Sequence, residues 1–184
     1  VLTIANTKPD GSVTGKPTYV SGLSPKTGRL GASSIVAIRT NGSHDRIGNV
    51  YRVPDEYCGA AVSAFQLIVE PELPNDSDYL YWMMRRPSFQ AEVTRAASGS
   101  TGLGNIAASK LRSMTIPWPE DASARADLAA VYEDFASTIH AARTHTVVLR
   151  TLRSNLLTVL LSGEHEISSS YDKLLAVVDE GVAA

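Results

Sequence analysis

Between Arg39 and Arg46 the chain reads Arg-Thr-Asn-Gly-Ser-His-Asp-Arg, setting two guanidiniums, an amide, two hydroxyls and an imidazole on one short turn-forming stretch. These side chains suit nucleic acid: a guanidinium pairs with guanine or phosphate, an amide with adenine, a hydroxyl with either. Arg39, Thr40, Asn41, Ser43, His44 and Arg46 are therefore candidate contacts. A hairpin turn accounts for Asn41-Gly42 by itself, with the rest solvated, but gives no reason for an arginine at each end. A second stretch, Ser98-Gly99-Ser100-Thr101-Gly102-Leu103-Gly104-Asn105, offers hydroxyls and open backbone N–H groups that suit closely approached phosphate oxygens. It adds Ser98, Ser100, Thr101 and Asn105, a plain connection or lid being the alternative, and Lys16 and Tyr19 complete the candidate set.

The same inventory excludes most catalysis. The loop from Gly99 to Gly104 lacks the Lys-Ser/Thr ending of a phosphate loop, and Gly11 to Lys16 has one residue too few between its glycines and runs into Pro17. His140 and His145 are five apart, about 140° around a helix, so they cannot converge on one ion. Cys58 is the single cysteine, which rules out an internal disulfide and, with four scattered histidines, a zinc site. No Gly-x-Ser-x-Gly elbow occurs. Asp55, Glu56 and Glu70 lack the following Glu-x-Lys of a nuclease and read as a strand-edge charge screen. The expectation is a non-catalytic chain with no metal and no cofactor of its own.

Net charge is −2 with a pI near 6.1, yet the distribution is blocked. Lys8 to Val53 carries seven cations against Asp10 and Asp45; Pro54 to Tyr81 carries six anions and no cation; Trp82 to Trp118 carries five cations against Glu92. The basic blocks coincide with the two candidate stretches.

These residues need elements to hold them. Ser34 to Arg39 is a short apolar run ended by Asn41-Gly42, and Gly48 to Val53 resumes with β-type residues, so the two predict paired strands. Ala64 to Glu70 predicts a third, stopped by Pro71 and Pro74. Asp78 is placed to cap a helix carrying Tyr79, Leu80, Trp82 and Met83 up to Pro87; Ser88 starts another with Phe89, Val93, Ala96 and Ala97 on one face. The glycine-rich loop holds no regular structure on this reading. Ile106 to Leu111 reads as a helical turn and Met114 to Ile116 as a strand closing at Pro117-Trp118-Pro119.

From Ser123 to Ser162 there is neither Gly nor Pro, and one long helix is predicted, with Gly163 as its terminating residue. Leu128, Val131, Phe135, Thr138, Ala142, His145, Leu149, Leu152, Leu156 and Val159 repeat at alternating steps of three and four, a coiled-coil seam. At 1.5 Å per residue the helix runs about 60 Å and needs a partner helix. The acidic remainder predicts a short packed tail helix around Leu174, Leu175, Val177 and Val178. No apolar run reaches the roughly 18 residues of a membrane span and no secretory signal pattern opens the chain, so the expected compartment is cytoplasmic. The chain starts at Val1 within sequence that already reads as folded, which predicts further chain upstream.

The order of Ser34-Ile35-Val36-Ala37-Ile38-Arg39-Thr40-Asn41-Gly42, Arg46-Ile47-Gly48-Asn49-Val50, Tyr79-Leu80-Tyr81-Trp82, Ala97-Ser98-Gly99-Ser100-Thr101-Gly102, Leu111 to Pro119, and a long helix ending Leu156-Leu157-Thr158-Val159-Leu160-Leu161-Ser162-Gly163 resembles the specificity subunit of Type I restriction-modification systems. The resemblance covers about Gly31 to Gly163. One departure is Glu120-Asp121-Ala122-Ser123-Ala124-Arg125, where the family places a Glu-Gln pair. The resemblance implies an α+β chain: a small mixed α/β target recognition domain at 1–119, a long coiled-coil helix at 120–163 and a tail with a short helix at 164–184. It further implies sequence-specific binding of double-stranded DNA, and an adenine methyltransferase, as a separate modification subunit or fused domain, that carries S-adenosylmethionine. The helix would pair with a second recognition domain or a second copy. The chain would then be a half-subunit, a fragment, or the tail of a fusion. The alternative reading is a protein-interaction module that uses the coiled coil and has no DNA specificity.

Overall fold

The computed structural model describes residues 1–24, 26–98 and 102–163. The tail helix expected after Gly163, and Ser100 and Thr101, lie outside the described residues. The chain divides into two compact units, Val1–Glu133 and Asp134–Ala184.

The first unit is organised by strand β1 (Ile35–Ile38), whose four residues are all buried. Alternation along a strand sends successive side chains to opposite faces. Ile35 and Ala37 enter one apolar cluster with Val50, Tyr81, Met84, Phe89 and Val93, while Val36 and Ile38 enter another with Leu2, Leu30, Tyr51 and Tyr57. A strand with apolar neighbours on both faces must lie inside its sheet. It does: β3 (Val50–Arg52) pairs antiparallel on one side, with Ile35 opposite Arg52, and β4 (Gln66–Val69) on the other, with Ile35 opposite Val69. All three strands follow the sequence-based expectation.

The segment between β1 and β3 does something the sequence did not announce. Asn41-Gly42 does not close a hairpin between them. Thr40–Asn41 (β2) leaves the sheet and pairs antiparallel with Gly104–Asn105 (β5), forming a separate two-stranded ribbon. The end of the glycine-rich stretch is therefore a strand, against expectation. Neighbouring backbone supplies the ladder there, so low intrinsic strand preference is overridden.

Helix α1 (Ser77–Arg85) and helix α2 (Pro87–Ala96) are split at Arg86, which is extended (φ −58°, ψ 140°), as the residue before a proline is driven to be. Pro87 is the first residue of α2, where its missing N–H costs nothing. The cap at α1 is not Asp78: Asp76 precedes the helix, and the Asp78 carboxylate instead takes Arg52 Nη2 at 3.1 Å. Helix α3 covers Ala108–Arg112. Met114 to Ile116 is not a strand. Among the described residues no strand pairs with it, and Pro117 follows, so Met114 and Ile116 pack by side chain against the first cluster.

The long helix α4 runs Ala122–Ser162 without interruption, started by Asp121 Oδ1 accepting from Ser123 N at 2.9 Å and stopped by Gly163 at φ +72°. Its first turns pack on α1 within the first unit: Ala129 is buried with Tyr79 and Met83, and Tyr132 stacks on Trp82 at 5.9 Å between centroids. Arg125 and Asp76 fix this contact. Arg125 Nε and Nη2 donate to the two Asp76 oxygens at 2.7 and 3.1 Å, and its Nη1 donates to the carbonyls of Pro119 (2.6 Å) and Glu120 (2.9 Å). Both residues are buried. From Asp134 to Gly163, by contrast, no residue is buried.

A buried pair broken on one side leaves an uncompensated charge, at a cost of about 3–5 kcal/mol. Arg125→Met should therefore lower the unfolding free energy measured in urea by that amount, with a lower midpoint, and the double change Arg125→Met with Asp76→Leu should recover most of it. A single variant with an unchanged midpoint would contradict this account of the helix attachment.

Candidate nucleic-acid interface

The candidate residues of the 39–46 stretch gather around the β2–β5 ribbon. Arg39 leads into it: its amide and that of Thr40 both donate to the Phe65 carbonyl, at 2.9 and 3.2 Å, while its own carbonyl accepts from Ile106 N at 2.8 Å. The backbone of the ribbon is thus tied on both sides. Thr40 Oγ1 hydrogen-bonds Asn105 Oδ1 across the ribbon at 2.6 Å. Ser98 and Asn105 exchange backbone hydrogen bonds at 2.9 and 2.8 Å, which brings Ser98 to the outer edge. Asn41 Oδ1 accepts from Ser43 N at 2.8 Å, bending the chain into the 3-10 turn at His44–Arg46.

The ribbon and that turn lie so close that a side chain at Gly104 does not fit. A Cβ there would collide with Ile47 Cδ1, a core atom, and come within 2.9 Å of His44 Cε1. At the other end of the turn, Gly48 (φ +87°) abuts Val93 of α2. Glycines at both positions let the polar turn press against the core.

The two arginines differ. Arg46 Nη2 donates to the Thr7 carbonyl at 2.6 Å and contacts Thr7 Oγ1 at 3.3 Å, clamping the N-terminal segment. Arg39 is half-buried and its side chain makes no hydrogen bond among the described residues, while the Nε of both arginines is buried without an acceptor. Ser43, His44 and Ser98 are exposed. Lys16 and Tyr19 stand on the N-terminal segment instead, where Asn6 Nδ2 donates to the Lys16 carbonyl at 3.3 Å and Tyr19 is 97% exposed. That segment is further anchored by the Tyr57 hydroxyl donating to the Gly15 carbonyl, and burial pushes the Tyr57 phenol up from its ordinary pKa.

Sequence reasoning missed Phe65, whose carbonyl holds both ribbon amides, and Arg125. Neither carries a local signal, because each partner lies more than twenty residues away in the chain. Glu70, expected to screen a strand edge, accepts from Ser34 Oγ at 2.6 Å. Among the described residues no group of three or more His, Cys, Asp or Glu is placed to hold a metal ion, and no helix is long and apolar enough to cross a membrane.

A small mixed α/β region with antiparallel sheets, followed in sequence by one helix of 41 residues, is the fold of a Type I restriction-modification S subunit. Among solved structures the chain is similar to the crystal structure of the Type-I restriction-modification system S subunit from M. genitalium, with a TM-score of 0.56 and 19% identity. The match covers 94% of this chain and 44% of that one, so the chain spans less than half the length of that subunit. At this identity the likeness is one of fold. No family model and no curated protein matches the chain.

The contrast between the arginines gives a test. Arg46→Ala should lower the unfolding free energy measured in urea by about 1.5–3 kcal/mol, the value of a hydrogen bond from a charged group. Arg39→Ala should leave the midpoint in place while weakening duplex binding and flattening its salt dependence by roughly one unit. A salt slope untouched by Arg39→Ala would remove that residue from the interface.

Proposed function

We propose that the chain is the recognition half of a Type I specificity subunit: it reads double-stranded DNA in a sequence-specific way and directs an associated adenine methyltransferase, in a restriction or modification complex, to its target. The observation that carries this reading is the fold match, which takes in 94% of the chain. In this reading residues 1–119 are the target recognition domain, 120–163 the coiled-coil helix and 164–184 the tail. Contacts to DNA come from Lys16, Tyr19, Arg39 to Asn41, Ser43, His44, Arg46, Ser98, Ser100, Thr101 and Asn105. The chain supplies the address and not the reaction. S-adenosylmethionine and the methyl-transfer chemistry reside in the methyltransferase, and the complex works in the cytoplasm.

The helix supports the second half of the proposal. Its seam is open to solvent, with Phe135 at 64% and Leu149 at 63% exposure, and such a stripe needs a cover. Laid antiparallel on a second copy, the seam is self-complementary: Ala142 meets His145, Thr138 meets Leu149, Phe135 meets Leu152, Val131 meets Leu156 and Leu128 meets Val159. Small residues face large ones near the centre. Charge favours the same direction, because Asp127 and Asp134 lie in the first half of the helix and Arg143, Arg150 and Arg153 in the second. A parallel pair would set like against like. Two recognition domains on a helix of about 60 Å read half-sites nearly two turns of DNA apart, at about 34 Å per turn.

Selection from a random duplex pool should therefore enrich a motif of two short blocks at fixed spacing. The chain should sediment as a dimer, and Leu149→Lys with Leu152→Lys should make it monomeric and reduce affinity for the full motif at least tenfold, to that of a single block. A dimer that enriches no sequence would instead support the protein-interaction reading.

A further inference from the structure

We infer that Leu103 is a base-reading residue that distinguishes thymine by its 5-methyl group, an inference that rests on the reading of the ribbon as the DNA-contacting element. The polar side chains of the ribbon are turned to one another: Thr40 to Asn105, and Asn41 to the amide of Ser43. Their hydrogen-bonding capacity is partly engaged by the fold itself. Leu103 stands one residue before β5 and is 53% exposed, between Gly102 at φ +78° and Gly104.

Neither glycine supplies a side chain, so Leu103 stands as an exposed apolar group at this end of the ribbon. The ribbon end is also thin. A Cβ at Gly42 would lie 3.2 Å from the Gly102 carbonyl, so the two backbones meet there with no side chain between them. A two-stranded ribbon fits the major groove, and the apolar feature of a base edge in that groove is the thymine methyl. The double hold of the Phe65 carbonyl on Arg39 and Thr40 keeps the strand that pairs with β5 in place while it docks.

The test uses the duplex that the wild-type chain selects from a random pool, remade with each thymine replaced singly by uracil, which deletes only the methyl group. The expected result is one position where uracil weakens wild-type binding about fourfold, the value of one buried methyl-sized group. Leu103→Ala should bind the thymine duplex with the same deficit and no longer respond to uracil there, while Leu103→Met keeps the response. An equal urea midpoint for Leu103→Ala establishes that the fold is intact. Uracil sensitivity that persists in Leu103→Ala, or that occurs nowhere, overturns the role of Leu103 while leaving DNA recognition standing. A wild-type chain that selects no motif overturns DNA recognition itself and this inference with it.

Discussion

Arg125 and Asp76 are both removed from water, and the planar guanidinium between them is bonded on every nitrogen. Taking two charges out of solvent is costly unless the geometry is good and the remaining donors are satisfied. Here two nitrogens meet the carboxylate as a fork and the third caps the backbone carbonyls of Pro119 and Glu120, where the chain enters α4. The Trp118 ring, 5.3 Å from the guanidinium carbon, covers it. A fork has one orientation, which a point charge such as lysine lacks. The pair therefore sets the azimuth at which the first turns of α4 meet α1, and Ala129 and Tyr132 reach Tyr79, Met83 and Trp82 as a consequence.

Ion pairing inside the first unit also changes what its charge blocks mean. Arg52, from the basic block, binds Asp78 of the acidic one at 3.1 Å and Glu133 at 2.6 Å, and lies over the Tyr81 ring. Arg85 donates to the Tyr81 hydroxyl at 3.0 Å and Arg46 to the Thr7 carbonyl. Opposed blocks along the chain are in part a folding code, in which cations and anions far apart in sequence find one another. The cations left to attract a polyanion are fewer than the sequence tally, which puts more of any discrimination onto shape and short-range contacts at the ribbon.

The fold was legible where the chain's own neighbours decide the outcome. Runs of β-type residues gave β1, β3 and β4, Pro87 marked the break between α1 and α2, and the long stretch without Gly or Pro gave α4 to within a residue of its start. What stayed hidden depends on partners distant in sequence. Gly104–Asn105 is a strand because Thr40–Asn41 lies beside it. Met114 to Ile116 is not a strand because, among the described residues, no strand pairs with it. For the candidate site, residue type located the polar turn and the glycine loop, and the structure joins Arg39, Thr40 and Asn41 to Ser98 and Asn105. Residue type could not separate Arg46, whose Nη2 is held by Thr7, from Arg39, whose side chain makes no hydrogen bond among the described residues.

The second unit carries a residue pattern that a simple two-stranded coil does not explain. In such a coil the positions facing away from the seam are charged. Here Val147, Leu157 and Leu161 fall off the seam and are exposed, on a side they share with Ala136, Arg143, Arg150, Ser154 and Thr158. Leu161 alone is 85% exposed. Beyond Arg150 the side opposite the seam is apolar or small and carries no charge, so the end of the helix offers a second face for close apolar contact in addition to the seam.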